Sequence, residues 1–61
     1  MESSQLFNVI DRAVFDGTKT LTIIAEDNER LKHHAEDFLN GFYYRGTVKL
    51  LENGIMIIFY K

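Results

Sequence analysis

Apolar residues Leu6, Ile10, Ala13 and Val14 fall at i, i+4, i+7 and i+8, with polar Gln5, Asn8 and Arg12 between them, which predicts a helix from Gln5 to Phe15. Phe7 and Val9 widen its apolar arc. Ser3 or Ser4 is placed to cap the start by accepting a backbone N–H, and Gly17 stands where a left-handed residue would stop the helix. Asp16-Gly17 also suits a hairpin turn, but polar spacing near three fits a helix better than a period of two. From Thr18 to Ala25 the run T-K-T-L-T-I-I-A alternates and is rich in β-branched residues, so a strand follows. Asp27 is then expected to cap a helix from about Asn28 to Asn40, with Leu31, Ala35, Phe38, Leu39 and Phe42 in one stripe, and Asn40-Gly41 as its expected end.

The last fifteen residues, Thr47 to Lys61, read as a hairpin that is apolar on both faces. Asn53-Gly54 is the preferred loop of a type I′ turn, which sets a register pairing Glu52 with Ile55, Leu50 with Ile57 and Val48 with Phe59. On the opposite face that register pairs Leu51 with Met56, Lys49 with Ile58 and Thr47 with Tyr60. A sheet with one solvated face should alternate apolar and polar residues, so a face carrying Leu51, Met56, Ile58 and Tyr60 calls for a helix, a second copy or a partner.

The element order predicts one α+β domain over residues 1–61, with α-β-α-β-β connectivity and a three-stranded mixed sheet in the order 1-3-2. The crossover through a helix makes the first two strands parallel, and the most apolar strand, the last, takes the centre between them. The second helix covers the face bearing Leu21, Ile23, Val48, Leu50, Ile57 and Phe59. The first helix lies beside it or on the opposite face. If it lies beside the second, Ile24, Leu51, Met56, Ile58 and Tyr60 form a free interface.

With 61 residues, the entropy of ordering nearly cancels what one small core contributes, and there is no Cys for a disulfide or thiolate metal site. Self-association is the remaining common reinforcement. A hydrophobic fraction of 46% places the chain among globular rather than disordered sequences. No apolar run of the length needed to span a bilayer and no basic, apolar leader in Met1-Glu2-Ser3-Ser4 gives the expectation of a cytoplasmic protein without a membrane partner. Nine acids against seven bases provide too weak a field to advertise nucleic acid.

Candidate chemistry is sparse. Glu29, His33 and Asp37 recur every fourth residue on one helix face, a spacing compatible with a metal but equally with a solvated face, so no metal site is assigned. His34 reads as a boundary residue of the apolar stripe. No nucleophile elbow, phosphate loop or His-Glu-x-x-His helix occurs, and no catalytic residue or cofactor follows. Tyr43, Tyr44 and Arg45, with Lys49 and Lys61 near them, are the cluster combining rings with cations, as single-stranded nucleic acid requires.

The order helix-strand-helix-hairpin, with T-L-T-I-I-A running into an acidic-capped helix, is similar in topology to the core of Alba-like chromatin proteins and of the C-terminal domain of translation initiation factor three. Those domains begin with an additional strand that this chain lacks, and their nucleic-acid surfaces are basic. The resemblance therefore brings no functional residue with it. A compact, cysteine-free chain of this kind also resembles in style the small regulators encoded by phages and other mobile elements. The expectation is a small, homodimeric, non-enzymatic protein-binding regulator or inhibitor with an unidentified protein partner, acting through a sheet face or strand edge. The alternative is a weak nucleic-acid-binding module using Tyr43, Tyr44, Arg45 and Lys49.

Overall fold

The structure, a computed structural model, describes residues 3–60. Lys61, placed above near the aromatic cluster, lies outside them. Helix α1 (Ser3–Phe15) is followed by strand β1 (Thr20–Ile24), helix α2 (Asn28–Gly41) and strands β2 (Gly46–Leu51) and β3 (Gly54–Phe59). The strands form one sheet in the order β1-β3-β2, as the apolar character of β3 predicts. β1 and β2 run alike without touching, and both pair antiparallel with β3.

Most of the predicted stripes is buried, with Val14 and Phe38 half-buried and Phe42, expected in the second stripe, 50% exposed. Leu6, Ile10 and Ala13 of α1 and Leu31, Ala35 and Leu39 of α2 are buried, and all but Ala13 join Ile23, Val48, Ile55 and Ile57 in one apolar cluster. Ser3 and Ser4 are already inside α1 rather than ahead of it. Asp27 occupies the N-cap of α2 without a side-chain cap hydrogen bond.

Gly17 ends α1 as its position suggests. Its φ is +73°, its N–H bonds the Val14 carbonyl at 3.2 Å, and the Thr18 N–H reaches back to Ala13 at 2.9 Å, the paired bonds of a Schellman turn. No hairpin forms at Asp16-Gly17. Helix α2 ends at Gly41 as expected and by the same geometry, but the left-handed residue that closes it is two positions on rather than the glycine. There the Tyr43 N–H bonds Asn40 at 3.4 Å, the Tyr44 N–H bonds Leu39 at 2.9 Å, and Tyr43 itself takes the left-handed position with φ +58°. That turn seats the Phe42 ring 4.8 Å from Phe7 and lets the Tyr44 hydroxyl donate to Asp11 on α1 at 2.6 Å. Those ties between the helices offset the roughly 1–2 kcal/mol that a left-handed backbone costs a side-chain-bearing residue.

The hairpin register differs from the one Asn53-Gly54 implies. Leu51 pairs with Gly54, Leu50 with Ile55, Lys49 with Met56, Val48 with Ile57 and Thr47 with Ile58, so the loop is Glu52-Asn53. Among the described residues positive φ is confined to Gly17 and Tyr43, which excludes a type I′ turn here. Gly54 serves a different purpose: a Cβ on it would overlap the Ile23 carbonyl oxygen and sit 2.9 Å from the Ile24 Cα. Glycine is required by the close approach of β1, and the Asn53 carbonyl, which accepts from the Ala25 N–H at 3.0 Å, ties the loop to the same strand. The slip is two residues, so every side chain keeps its predicted face.

Candidate functional site

Both helices lie on one face of the sheet. The buried strand residues Ile23, Val48, Ile55 and Ile57 share one parity, and the helix stripes pack with them. The other parity holds Thr20, Thr22 and Ile24 on β1, Met56 and Ile58 on β3, and Thr47, Lys49 and Leu51 on β2. None of these is buried. Of the two placements left open for α1, the structure takes the one beside α2.

The helix-free face has an apolar middle and a polar margin. Met56 and Ile58 are half-buried because β3 is flanked on both sides, by Thr22 and Lys49 around Met56 and by Thr20 and Thr47 around Ile58. Leu51 is half-buried, Ile24 is 66% exposed and Tyr60 is 56% exposed, its hydroxyl 2.6 Å from that of Thr47. Lys49 is the one charged residue of these strand positions, and no carboxylate is among them. All five residues singled out from the sequence as an interface, Ile24, Leu51, Met56, Ile58 and Tyr60, are therefore on one uncovered surface.

A second candidate lies at the pole where both helices end. A cleft of about 300 Å³ is lined there by Tyr43, Tyr44, Phe59 and Tyr60, by the cations Lys19 and Arg45, and by the turn after α1. The two adjacent tyrosines do different things. Tyr44 is half-buried, stacks 6.0 Å from Phe42 and donates its hydroxyl to the Asp11 carboxylate, which holds that hydroxyl above the ordinary tyrosine value of 10.0; smaller contributions come from burial and the Asp11 charge. Tyr43 is 92% exposed.

The sequence grouped Lys49 with these rings, and the structure does not. Four residues along an extended strand from Arg45, or about 13 Å, Lys49 stands beside Met56 on the helix-free face. Lys19, which the sequence reading passed over as part of a strand, lines the cleft instead. Its signal was topological: a centrally placed β3 brings the start of β1 to the start of β2.

Glu29, His33 and Asp37 are exposed on the outer surface of α2, where Glu36 Oε1 lies 3.2 Å from Lys32 Nζ and 4.0 Å from His33 Nδ1. That is the pairing of a solvated helix face. His34 is half-buried at the margin of the stripe. Among the described residues no three metal-ligating side chains converge, and no helix is long and apolar enough to cross a membrane. Compared with known protein families, curated proteins and solved structures, the chain matches none.

Proposed function

We propose that this chain is a small non-enzymatic protein-binding regulator or inhibitor that works as a homodimer, with the helix-free sheet face as its contact surface. The observation that supports this reading is the composition of that face. Its middle is Met56 and Ile58 with Tyr60 at one end and Ile24 and Leu51 at the other, its flanks are threonine with one lysine, and its strand positions carry no acid in a chain whose acids outnumber its bases. Docking such a surface strips water from apolar area while burying almost no charge. Three strands by five or six residues make a flat footprint of roughly 300 Å² before side-chain relief, or about 600 Å² over both partners, which is below the range of stable specific interfaces and calls for weak, concentration-dependent association.

Sedimentation equilibrium from low to high micromolar concentration tests the pairing. Association that Ile58→Lys abolishes without loss of the folded circular dichroism spectrum is the expected result. A strict monomer at high micromolar concentration removes the homodimer, and association unaffected by Ile58→Lys removes this face as its seat. The regulatory part is tested by affinity capture run in parallel with wild type and Ile58→Lys, in which a partner using the face is retained by the first and lost by the second.

A further inference from the structure

We propose that the cleft at the helix-ending pole binds a nucleotide unit, with the base stacked on Tyr43 and the phosphate held by Lys19 and Arg45. The unit is either a free nucleotide or one residue of a single-stranded nucleic acid. This site meets the sheet face only at Tyr60, which lines both, and its failure would leave the dimer proposal standing.

Charge comes first. The cleft is lined by four of the eight aromatic residues of the chain and by two of its seven cations, and by no carboxylate. The lining itself is thus positive against the net charge of −2, with the Asp11 carboxylate behind it on the Tyr44 hydroxyl at 2.6 Å. Both helices aim their carboxyl ends at this pole, which taken alone favours cations. Those last carbonyls already accept from the N–H groups of Gly17, Thr18, Tyr43 and Tyr44, and two whole side-chain charges exceed the two residual half-charges. An anion is the complement. Rings on the walls add a planar partner, and a planar ring carrying a phosphate is what a nucleotide presents.

Size and strain point the same way. A volume of about 300 Å³ is at the lower end of small-ligand sites, room for a base with its sugar and phosphate. Tyr43 is the one non-glycine described residue with positive φ, and its ring is almost wholly in solvent. Glycine would hold that turn without the steric cost, so folding gives no reason for an exposed ring there. Backbone strain retained at an exposed aromatic side chain beside a cleft is the pattern of a residue kept for what it contacts.

The test titrates the isotope-labelled full chain at low salt with uridine monophosphate, adenosine monophosphate and a short oligodeoxythymidylate, reading amide shifts and affinity. Shifts centred on Lys19, Tyr43, Arg45 and Tyr60 are expected. Tyr43→Gly should weaken binding by about 5- to 100-fold while leaving the unfolding midpoint equal or higher, and Tyr43→Phe, which keeps the ring, should retain most of the affinity. Lys19→Ala with Arg45→Ala should reduce the salt dependence of oligonucleotide binding by about 0.7 in slope, the share of the one phosphate they hold. Binding of the oligonucleotide alone assigns the source as a strand, and equal binding of the monophosphates assigns a free nucleotide. No shifts at millimolar monophosphate and none with the oligonucleotide would overturn the proposal. So would affinity indifferent to Tyr43→Gly, or preference for a phosphotyrosine peptide over every nucleotide.

Discussion

The two faces of this sheet are built from nearly the same residues along β3 and meet opposite fates. Ile55 and Ile57 are fully buried under the helices, while Met56 and Ile58, one position away, stay half-open to water. What tells the faces apart is the pair of edge strands. On the covered side β1 and β2 present Leu21, Ile23, Val48 and the half-open Leu50; on the free side they present Thr20, Thr22, Thr47 and Lys49, with Ile24 and Leu51 apolar only at the end beside Gly54. A central strand is apolar both ways because neighbours shield both its flanks. The alternation that reports which face a helix covers is therefore kept at the edges.

The largest expected effect sharpens this contrast directly. Ile57→Ala removes a side chain with no exposure and should cost about 2–5 kcal/mol, enough to leave so small a domain largely unfolded, whereas Ile58→Ala should cost less than about 1 kcal/mol. Urea denaturation of the two variants gives the comparison. Similar losses for both would break it.

Next in size is the seam that holds β1 against β3. Gly54→Ala puts a Cβ onto the Ile23 carbonyl, and rigid backbone has to move, for an expected loss of about 1–3 kcal/mol in the same denaturation measurement. An unchanged midpoint would mean that β1 sits farther away than described, and the two-face arrangement would need redrawing.

A smaller effect concerns the strap that keeps α1 on the covered side. Because hydrogen bonding to Asp11 raises the Tyr44 value above 10.0, the protonated hydroxyl is favoured by the folded state. That contribution is complete below pH 10 and is lost as pH rises through the raised value. Tyrosinate absorbance should show Tyr44 ionising after an unperturbed tyrosine, with thermal stability falling over the same alkaline range, and Asp11→Asn should bring its ionisation earlier. Smallest of all is Thr22→Val on the free face. It should move stability by no more than about 0.5 kcal/mol and strengthen self-association measured by sedimentation.

Much of this was legible from the chain. Period and spacing gave both helix stripes, the crossover and the apolar β3 gave the strand order, and Gly17 marked the end of α1. Two glycine signals misled for a shared reason. Glycine meets several different needs, and local sequence does not say which one applies. Gly54 next to Asn53 resembles a turn residue, yet it is needed where another strand passes over its α-carbon. Gly41 next to Asn40 marks the last residue of α2, yet the left-handed position expected of it falls to Tyr43, where contacts of Phe42 with Phe7 and of Tyr44 with Asp11 hold the turn. Lys19 was missed as a cleft residue because its ring-bearing neighbours there come from two distant parts of the chain, 43–45 and 59–60.

The central claim, that one apolar face is left uncovered by this chain's own helices, is most directly tested by methyl relaxation with a soluble paramagnetic agent. In dilute samples the methyl groups of Met56 and Ile58 should relax strongly while those of Ile55 and Ile57 are untouched, and the difference should narrow as concentration rises and copies pair. Equal shielding of both pairs in the dilute chain would contradict the account.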